Sequence, residues 1–189
     1  MKVGAIAENI QEILQILGYD LDNPSIKDTP LRVAKHMMEY EVRDTTELEK
    51  KLTFFEESYD QIIVKKNIRF NSMCEHHLLP FQGTCTVAYL PHGEIKEKRR
   101  LIGTSKIARI VEHFARKFTI QEKLTEDIAR FVSKTTRSKA VWVKMSAVHL
   151  CEEIRGVKNS SEMITSVIWG DLRKNDILRR EFEILMFNE

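Results

Sequence analysis

The sequence predicts an α+β domain in which helices pack against an antiparallel sheet. Three observations lead to this fold class. Helix and strand patterns alternate in pairs along the chain: two helices, two strands, two helices, two strands and a final helix. The 189 residues are 42% hydrophobic, which is enough for one sizeable core. The sequence also contains no internal repeat, low-complexity tract or linker.

The first two predicted helices lie near the N-terminus. Residues 4–17 place isoleucine and leucine along one helical stripe, and Gly18 follows where a helix would end. Thr29 and Pro30 suit the start of a second helix, as a capping hydroxyl followed by proline at the first helical position. Residues 43–60 are charged and indicate no single element.

The remaining elements follow from periodicity. Segments rich in β-branched or alternating apolar residues predict four strands, at 61–70, 84–90, 140–150 and 163–169. Segments with apolar residues on one side predict three helices, at 105–117, 122–135 and 175–186. The charge run 94–100 predicts an exposed loop or hairpin tip. We therefore expect a helical segment at 1–60 and a sheet domain at 61–189, joined as one continuous unit. With one helical face, the sheet would expose edges that oligomerisation can cover.

Composition argues against two broad function classes. Charged residues make up 31% of the chain but nearly cancel, which leaves a formal net charge of +2. We therefore expect no bulk electrostatic binding of nucleic acid or of a membrane surface. No signal peptide is evident, and no segment approaches the roughly 20 apolar residues of a membrane span. We expect a cytoplasmic protein, whose three cysteines favour metal or thiolate chemistry over disulfides.

Candidate metal ligands occur in two places. Cys74 and His77 form a Cys-x-x-His pattern just after a predicted strand, so both could bind one ion. His149 and Cys151 end another predicted strand and would point to the same side. Cys74, His77 and Cys151 make three donors, and three protein ligands plus water describe a catalytic zinc site. His76 and His149 would then be free to carry protons.

A structural zinc site is the alternative, with His76 or His149 as a fourth ligand. Cys85 stands between threonines inside a predicted strand, and we expect it to be an ordinary buried core residue. The other histidines, His36, His92 and His113, show no ligand pattern.

A basic group marks the predicted helix at 105–117. Ser105, Lys106 and Arg109 open this helix, where free backbone N–H groups and the helix dipole favour anions. Arg155 follows Cys151 by four residues and is therefore close to a metal ligand in sequence. An ordinary solvated charged face is the alternative, because spacing does not show whether these cations converge.

Five separated motifs resemble those of the GTP cyclohydrolase I family. They are residues 28–35 (DTPLRVAK), 72–81 (SMCEHHLLPF), 102–109 (IGTSKIAR), 121–125 (QEKLT), and 149–151 (HLC) with Arg155 and Gly156. Thr165-Ser166 and residues 170–173 (GDLR) also fit. The motifs occur in the family's order over most of the chain.

The resemblance implies a tunnelling fold whose subunits join as a toroidal homo-oligomer, a decamer of two pentamers. It implies zinc held by Cys74, His77 and Cys151, with GTP as the substrate. It also implies that His76 and His149 move protons during catalysis.

The resemblance further implies which residues bind GTP. Glu122 anchors the guanine ring, and Gln121 belongs to the same substrate-binding group. Ser105 is implied to be a catalytic residue that contacts the ribose end of GTP. The triphosphate is held by five cations: Lys106, Arg109 and Arg155, joined from a neighbouring subunit by Lys35 and Arg32.

The implied reaction converts GTP and water to 7,8-dihydroneopterin triphosphate and formate. Zinc-bound hydroxide attacks C8 of guanine, the imidazole ring opens, formate leaves, and an Amadori-type rearrangement precedes reclosure. The sequence departs from the family pattern in several places, among them a longer loop at 91–100. Thr104 replaces a leucine, and Glu152 and Glu153 follow Cys151 where neutral or basic residues are usual.

Two rival functions are open at this point. A nitrile reductase with the same fold would use a cysteine nucleophile and NADPH without catalytic zinc, and the pairing of His149 with Cys151 favours the cyclohydrolase. A zinc-stabilised nucleic-acid module would need a basic patch with interleaved aromatics. The basic run at 96–100 is the only candidate for such a patch, and it has no aromatic neighbour in sequence.

Overall fold

The computed structural model describes residues 1–92 and 98–187, and most of the charge run at 94–100 lies outside the described residues. The chain divides into two compact units, Met1–Arg43 and Asp44–Glu189. No helix in the described part of the chain is both long and apolar enough to cross a bilayer.

The first unit consists of two helices in contact with each other. α1 spans Lys2–Ile16 and α2 spans Thr29–Met38, which confirms both predicted helices. Gly18 adopts a φ of +83° after the end of α1, a conformation that glycine tolerates better than other residues. Pro30 occupies the first turn of α2, where its missing N–H costs no hydrogen bond.

The second unit is built on a five-stranded sheet. Its strands are β2 (Ile63–Cys74), β3 (Pro80–Leu90), β5 (Phe118–Thr119), β6 (Ala140–His149) and β7 (Glu162–Gly170). Their order is β5-β2-β3-β6-β7, and every pairing is antiparallel except the short one between β5 and β2. The predicted α+β class with an antiparallel sheet is confirmed.

A pair of helices covers one face of this sheet. α4 (Thr104–Ala115) packs on β2, while α5 (Gln121–Thr136) packs on β6 and β7. The main core lies between this pair and the sheet, where Ile110 and Leu124 from the helices are fully buried together with Val87 and Val143 from the strands. Alternation along β6 makes this possible, because every second side chain reaches the same face.

The opposite face of the sheet is also partly covered by a helix, so the expectation of one helical face is wrong. α7 (Asp176–Phe187) follows a short 3-10 turn at Asp171–Arg173 and buries Phe182 and Met186. These side chains form a second, smaller core with Ala88 and Trp142, which point away from the main core. The sequence of β6 contains this signal, because the large apolar side chain of Trp142 shares its face with Lys144 and Ser146.

A second, two-stranded sheet arises where the sequence predicted none. α3 (Thr46–Lys50) precedes β1 (Phe54–Glu57), which pairs antiparallel with β4 (Arg99–Ile102). Glu57 is opposite Arg99 and Glu56 is opposite Arg100. The Arg100 guanidinium carbon also lies 3.6 Å from the centre of the Phe54 ring. The end of the charge run is therefore a strand, not a loop, and it has both acidic and aromatic neighbours.

Candidate metal centre and active site

Three strand ends meet at one end of the main sheet. β2 ends at Cys74, β3 begins at Pro80, and β6 ends at His149. Met73 pairs with Pro80, and Phe81 pairs with His149 in the neighbouring ladder. The predicted strand at 61–70 is thus too short, since Cys74 belongs to the strand itself. This register brings the two halves of the candidate metal site together from distant parts of the sequence.

The turn between β2 and β3 folds His77 back toward Cys74. The Leu78 N–H donates to the Cys74 carbonyl at 2.9 Å, and the Cys74 N–H donates to the Leu79 carbonyl at 2.9 Å. Leu78 adopts a φ of +51°, which is uncommon for a non-glycine residue and often accompanies a functional turn. As a result, His77 Nδ1 lies 3.8 Å from Cys74 Sγ.

Cys151 completes a group of three donors. It lies on α6 (Leu150–Glu153), a single helical turn after β6, so the expectation that it continues the strand is wrong. Its Sγ nevertheless lies with Cys74 Sγ and a ring nitrogen of His77 within 4.8 Å of one another. Burial and the adjacent Cys74 raise the pKa of the Cys151 thiol, while Arg155 acts in the opposite direction.

These three donors suit a zinc ion. Tetrahedral zinc with usual bond lengths separates a sulfur and a nitrogen ligand by about 3.5 Å, close to the 3.8 Å between Cys74 and His77. Two thiols and an imidazole are the ligand types that zinc prefers, and three protein ligands leave a coordination position open.

His149 lies beside the group of donors but is held by other residues. Its ring stacks on Phe81 with centroids 4.6 Å apart and planes within 2° of parallel. Its Nε2 is 2.8 Å from the Oε1 atom of Gln121. Burial lowers the pKa of His149, and the charges of Glu122 and Glu152 oppose this shift without cancelling it. A lowered pKa favours the neutral ring, which is able to accept a proton.

The two predicted purine-binding residues, Gln121 and Glu122, lie at the N-terminus of α5 and differ in their exposure to solvent. Gln121 is completely buried, with both ends of its amide hydrogen-bonded inside the protein. Glu122 is exposed in the first turn of the helix and is close enough to His149 to influence its pKa. His76 is exposed beside His77, with their ring centroids 6.2 Å apart.

The predicted ribose- and triphosphate-binding residues on α4 lie far from this cluster. The Lys65 ammonium donates to the carbonyl of Thr104 at 2.7 Å, so the start of α4 adjoins the beginning of β2. Cys74 is nine residues further along β2, and at about 3.3 Å per residue the two ends are about 30 Å apart. Ser105 and Lys106 therefore lie roughly 25 Å from Cys74 of the same chain.

The other predicted cations divide between the two units. Arg155 is exposed just after α6 and acts electrostatically on Cys151, so it adjoins the metal group. Lys35 and Arg32 are exposed on α2 of the first unit, and Arg32 lies 3.5 Å from Asp28. Glu152, one of the two unusual acids, accepts a hydrogen bond from Ser161 at 3.1 Å.

Three residues of the site were missed from the sequence. Phe81 was quoted in a motif but given no role, although its pairing with His149 makes the ring stack possible. Thr125 and Thr165 contact Gln121 from α5 and β7. The i, i+4 spacing of Gln121 and Thr125 is the one sequence signal that could have linked them.

Comparison with known proteins is consistent with this site. A family model described as GTP cyclohydrolase I matches residues 6–186. The chain is 46% identical to GTP cyclohydrolase 1 of Alkalilimnicola ehrlichii over 175 residues, which cover 91% of each chain. It is 43% identical to the protein of the same name from Coxiella burnetii, over 94% of this chain and 95% of that one.

A relative from Hyperthermus butylicus, again called GTP cyclohydrolase 1, is 39% identical over 93% of this chain and 86% of its own length. Among solved structures, the chain is similar to an archaeosine synthase QueF-Like in the apo form, at 15% identity and a TM-score of 0.41. That similarity covers 57% of this chain and 94% of the other.

Proposed function

Because the chain belongs to the GTP cyclohydrolase I family, we propose that it is a zinc-dependent enzyme that converts GTP and water to 7,8-dihydroneopterin triphosphate and formate. The observation that carries this proposal is the group of donors formed by Cys74, His77 and Cys151. His149 lies beside this group, and Glu122 is close enough to His149 to affect its pKa. The site thus combines a metal-binding group, a proton carrier and a carboxylate for substrate recognition.

Cys74, His77 and Cys151 would hold the zinc ion, which would supply a Lewis acid that activates water near neutral pH. His149 and His76 are not needed as ligands. The donor atoms that lie within 4.8 Å of one another come from Cys74, His77 and Cys151, and neither His149 nor His76 belongs to this group. We therefore favour a three-ligand catalytic site over a four-ligand structural one.

Glu122 provides recognition of guanine. Its carboxylate accepts hydrogen bonds from N1–H and the exocyclic amine, which guanine presents on one edge. Adenine has no proton on N1 and carries its amine elsewhere, so it would leave the carboxylate without partners. Glu122 is exposed on the subunit, and a bound purine would shield it from water.

Proton transfer is assigned to the two histidines. His149 is half-buried with a lowered pKa, so the neutral ring can take a proton from the attacking water. His76 is exposed on the turn between β2 and β3, next to the ligand His77. Ring opening, loss of formate and reclosure each need a proton donor and an acceptor, and we expect both histidines to share these steps.

The long distance between the start of α4 and the metal group supports an active site shared between subunits. Ser105 and Lys106 lie roughly 25 Å from Cys74 in one chain, a separation that one nucleoside triphosphate does not span. A neighbouring subunit must then supply Ser105, Lys106 and Arg109 to the triphosphate bound beside Cys74. We expect Lys35 and Arg32 to be supplied in the same manner.

Sheet edges give a second argument for assembly. Within the described residues, β7 pairs only with β6, and β2 has a second partner only at Met73 and Cys74. Pairing of such edges between copies would extend the sheet around a ring and satisfy the free backbone groups. This supports the tunnelling fold and a toroidal decamer as proposals, and a cytoplasmic location stays a prediction.

GTP turnover tests the proposal. The purified protein should convert GTP to a product with pterin absorbance and fluorescence, and should release formate. ATP should be turned over at least about 10⁴-fold less efficiently, as in sites that hydrogen-bond their substrate. Glu122→Gln should lose guanine selectivity, whereas the control Glu126→Gln, on an exposed acid paired with Arg130, should keep it. Equal use of ATP and GTP by the wild type would contradict the assignment.

A further inference from the structure

Gln121 is a fully buried polar side chain whose amide contacts His149. The amide makes hydrogen bonds in two directions. The Nε2 atom lies 3.0 Å from the Met163 carbonyl, 3.1 Å from Thr165 Oγ1 and 3.3 Å from the Met145 carbonyl. The Oε1 atom faces His149. Both polar atoms of this side chain therefore have partners inside the protein.

The direction of this amide follows from its partners. Backbone carbonyls only accept hydrogen bonds, so the end of the amide that faces Met163 and Met145 must be the NH₂ group. A flipped amide would set its oxygen against two carbonyl oxygens. The oxygen of Gln121 must therefore face His149.

Two threonines fix the same direction independently. Thr125 Oγ1 lies 2.6 Å from the backbone carbonyl oxygen of Gln121. A carbonyl oxygen only accepts hydrogen bonds, so Thr125 donates its single hydroxyl proton to it. Thr165 Oγ1 lies 2.6 Å from Thr125 Oγ1 and must then donate to it. With its own proton used, Thr165 accepts from the Gln121 amide. The side-chain amide of Gln121, the hydroxyls of Thr165 and Thr125, and the backbone carbonyl of Gln121 thus form a closed ring of hydrogen bonds. Only one assignment of donors and acceptors satisfies the whole ring.

The consequence is a defined tautomer of His149. Gln121 Oε1 only accepts, and His149 Nε2 is 2.8 Å away, so Nε2 carries a proton. In the neutral ring, Nδ1 then has the lone pair. The Phe81 stack fixes the plane of the ring, and the bond to Gln121 fixes its rotation within that plane.

We propose that Gln121 is a positioning residue that holds His149 in the Nε2–H tautomer, so that Nδ1 is the atom that accepts and returns protons during turnover. This rests on the proposed function, which gives His149 its proton-transfer role. Nδ1 takes a proton from the reacting water or substrate and gives it back in a later step, while Nε2–H stays bonded to Gln121. Gln121 thereby affects proton transfer to and from the substrate through His149, without contacting guanine itself.

Solid-state ¹⁵N NMR of the zinc-loaded, substrate-free protein tests the tautomer directly. Histidine-labelled protein contains six histidines, and the His149→Ala variant identifies the signals of His149. We expect a protonated Nε2 and an unprotonated Nδ1 in the neutral ring. Finding the proton on Nδ1 instead would overturn the proposal, and this result needs neither activity nor a Gln121 variant.

Kinetics separate positioning from substrate binding. Gln121→Met keeps the length of the side chain and removes its polar atoms, so kcat should fall by about 10²-fold while the KM for GTP changes little. In a His149→Ala background the same substitution should cost nothing further, because Gln121 acts through His149. A raised KM with unchanged kcat would show that Gln121 binds substrate and would overturn the proposal.

Paired threonine variants control for simple loss of packing. Thr125→Val opens the ring beside Gln121, whereas Thr135→Val removes an equivalent buried hydroxyl that donates to its own helix at Phe131. Thr125→Val should lower kcat and alter the His149 NMR signals, while Thr135→Val should do neither. Equal effects of the two variants would contradict positioning. Full activity of His149→Ala would instead refute the catalytic role on which the inference rests.

Discussion

Complementation between inactive subunits follows from the separation of Lys106, at the start of α4, from the metal group. Lys106→Ala removes a proposed triphosphate contact at the start of α4, and Glu122→Ala removes the proposed guanine contact near the metal group. If each site takes α4 from one subunit and the metal group from its neighbour, a mixed oligomer contains intact sites. One such site needs Lys106 from the Glu122→Ala subunit and Glu122 from the Lys106→Ala subunit.

The expected gain can be calculated from random assembly. With equal amounts of the two subunits, each condition holds with a probability of one half, so about one quarter of the sites are intact in a ring of heterologous interfaces. Co-expression with two different affinity tags, sequential purification and the pterin fluorescence assay should therefore recover about one quarter of wild-type activity. Each variant assembled alone should be inactive.

Glu122→Ala mixed with Cys151→Ala is the matched control for this experiment. Both substitutions affect the same end of the subunit, so every site in the mixture is defective and no activity should return. If the Lys106→Ala mixture also stayed inactive although mixed oligomers were isolated, Lys106 and Glu122 would belong to one subunit's site. Sharing of each site between two subunits would then be refuted.

Two further predictions concern the core. Cys85 is fully buried, and burial raises the pKa of its thiol. In the zinc-free native protein, iodoacetamide should therefore modify Cys151 well before Cys85, as followed by mass spectrometry. Faster labelling of Cys85 would contradict this prediction. In Gly83→Ala, a Cβ would come 1.8 Å from the Ser146 carbonyl of the adjacent strand, so thermal unfolding should show a loss of about 3 kcal/mol. Gly4→Ala, where no neighbour lies within 4 Å, should cause no such loss.

The local elements of the fold could be predicted because their signals are local. The helix stripes at residues 4–17 and 122–135 place apolar side chains at helical spacing, and α1 and α5 occupy nearly those ranges. The pairing of β1 with β4 could not be predicted in this way. Its strands have four residues each and are separated by more than 40 residues, so neither periodicity nor a turn signal connects them.

In the candidate site, too, the features with a local sequence signal were predictable, whereas those that depend on packing were not. Cys74 and His77 were recognisable from spacing, and their link to Cys151 was recognisable from donor chemistry. The actual position of Cys151 on a helical turn, and the burial of Gln121 beneath His149, depend on how β6 and α5 pack. The long distance between Ser105 and Cys74 could not be predicted either, because sequence motifs carry no information on how far apart they lie in the folded subunit.

Zinc content and GTP turnover, both measured under anaerobic conditions, decide whether Cys74, His77 and Cys151 form a catalytic zinc site. We expect one zinc per subunit and full activity in the wild type and in Cys85→Ala, a control cysteine in the core. We expect Cys151→Ala to lose both zinc and activity, and chelated wild type to regain activity when zinc is restored. Full zinc occupancy in Cys151→Ala, or full GTP turnover by the zinc-free protein, would contradict the proposed zinc-dependent function.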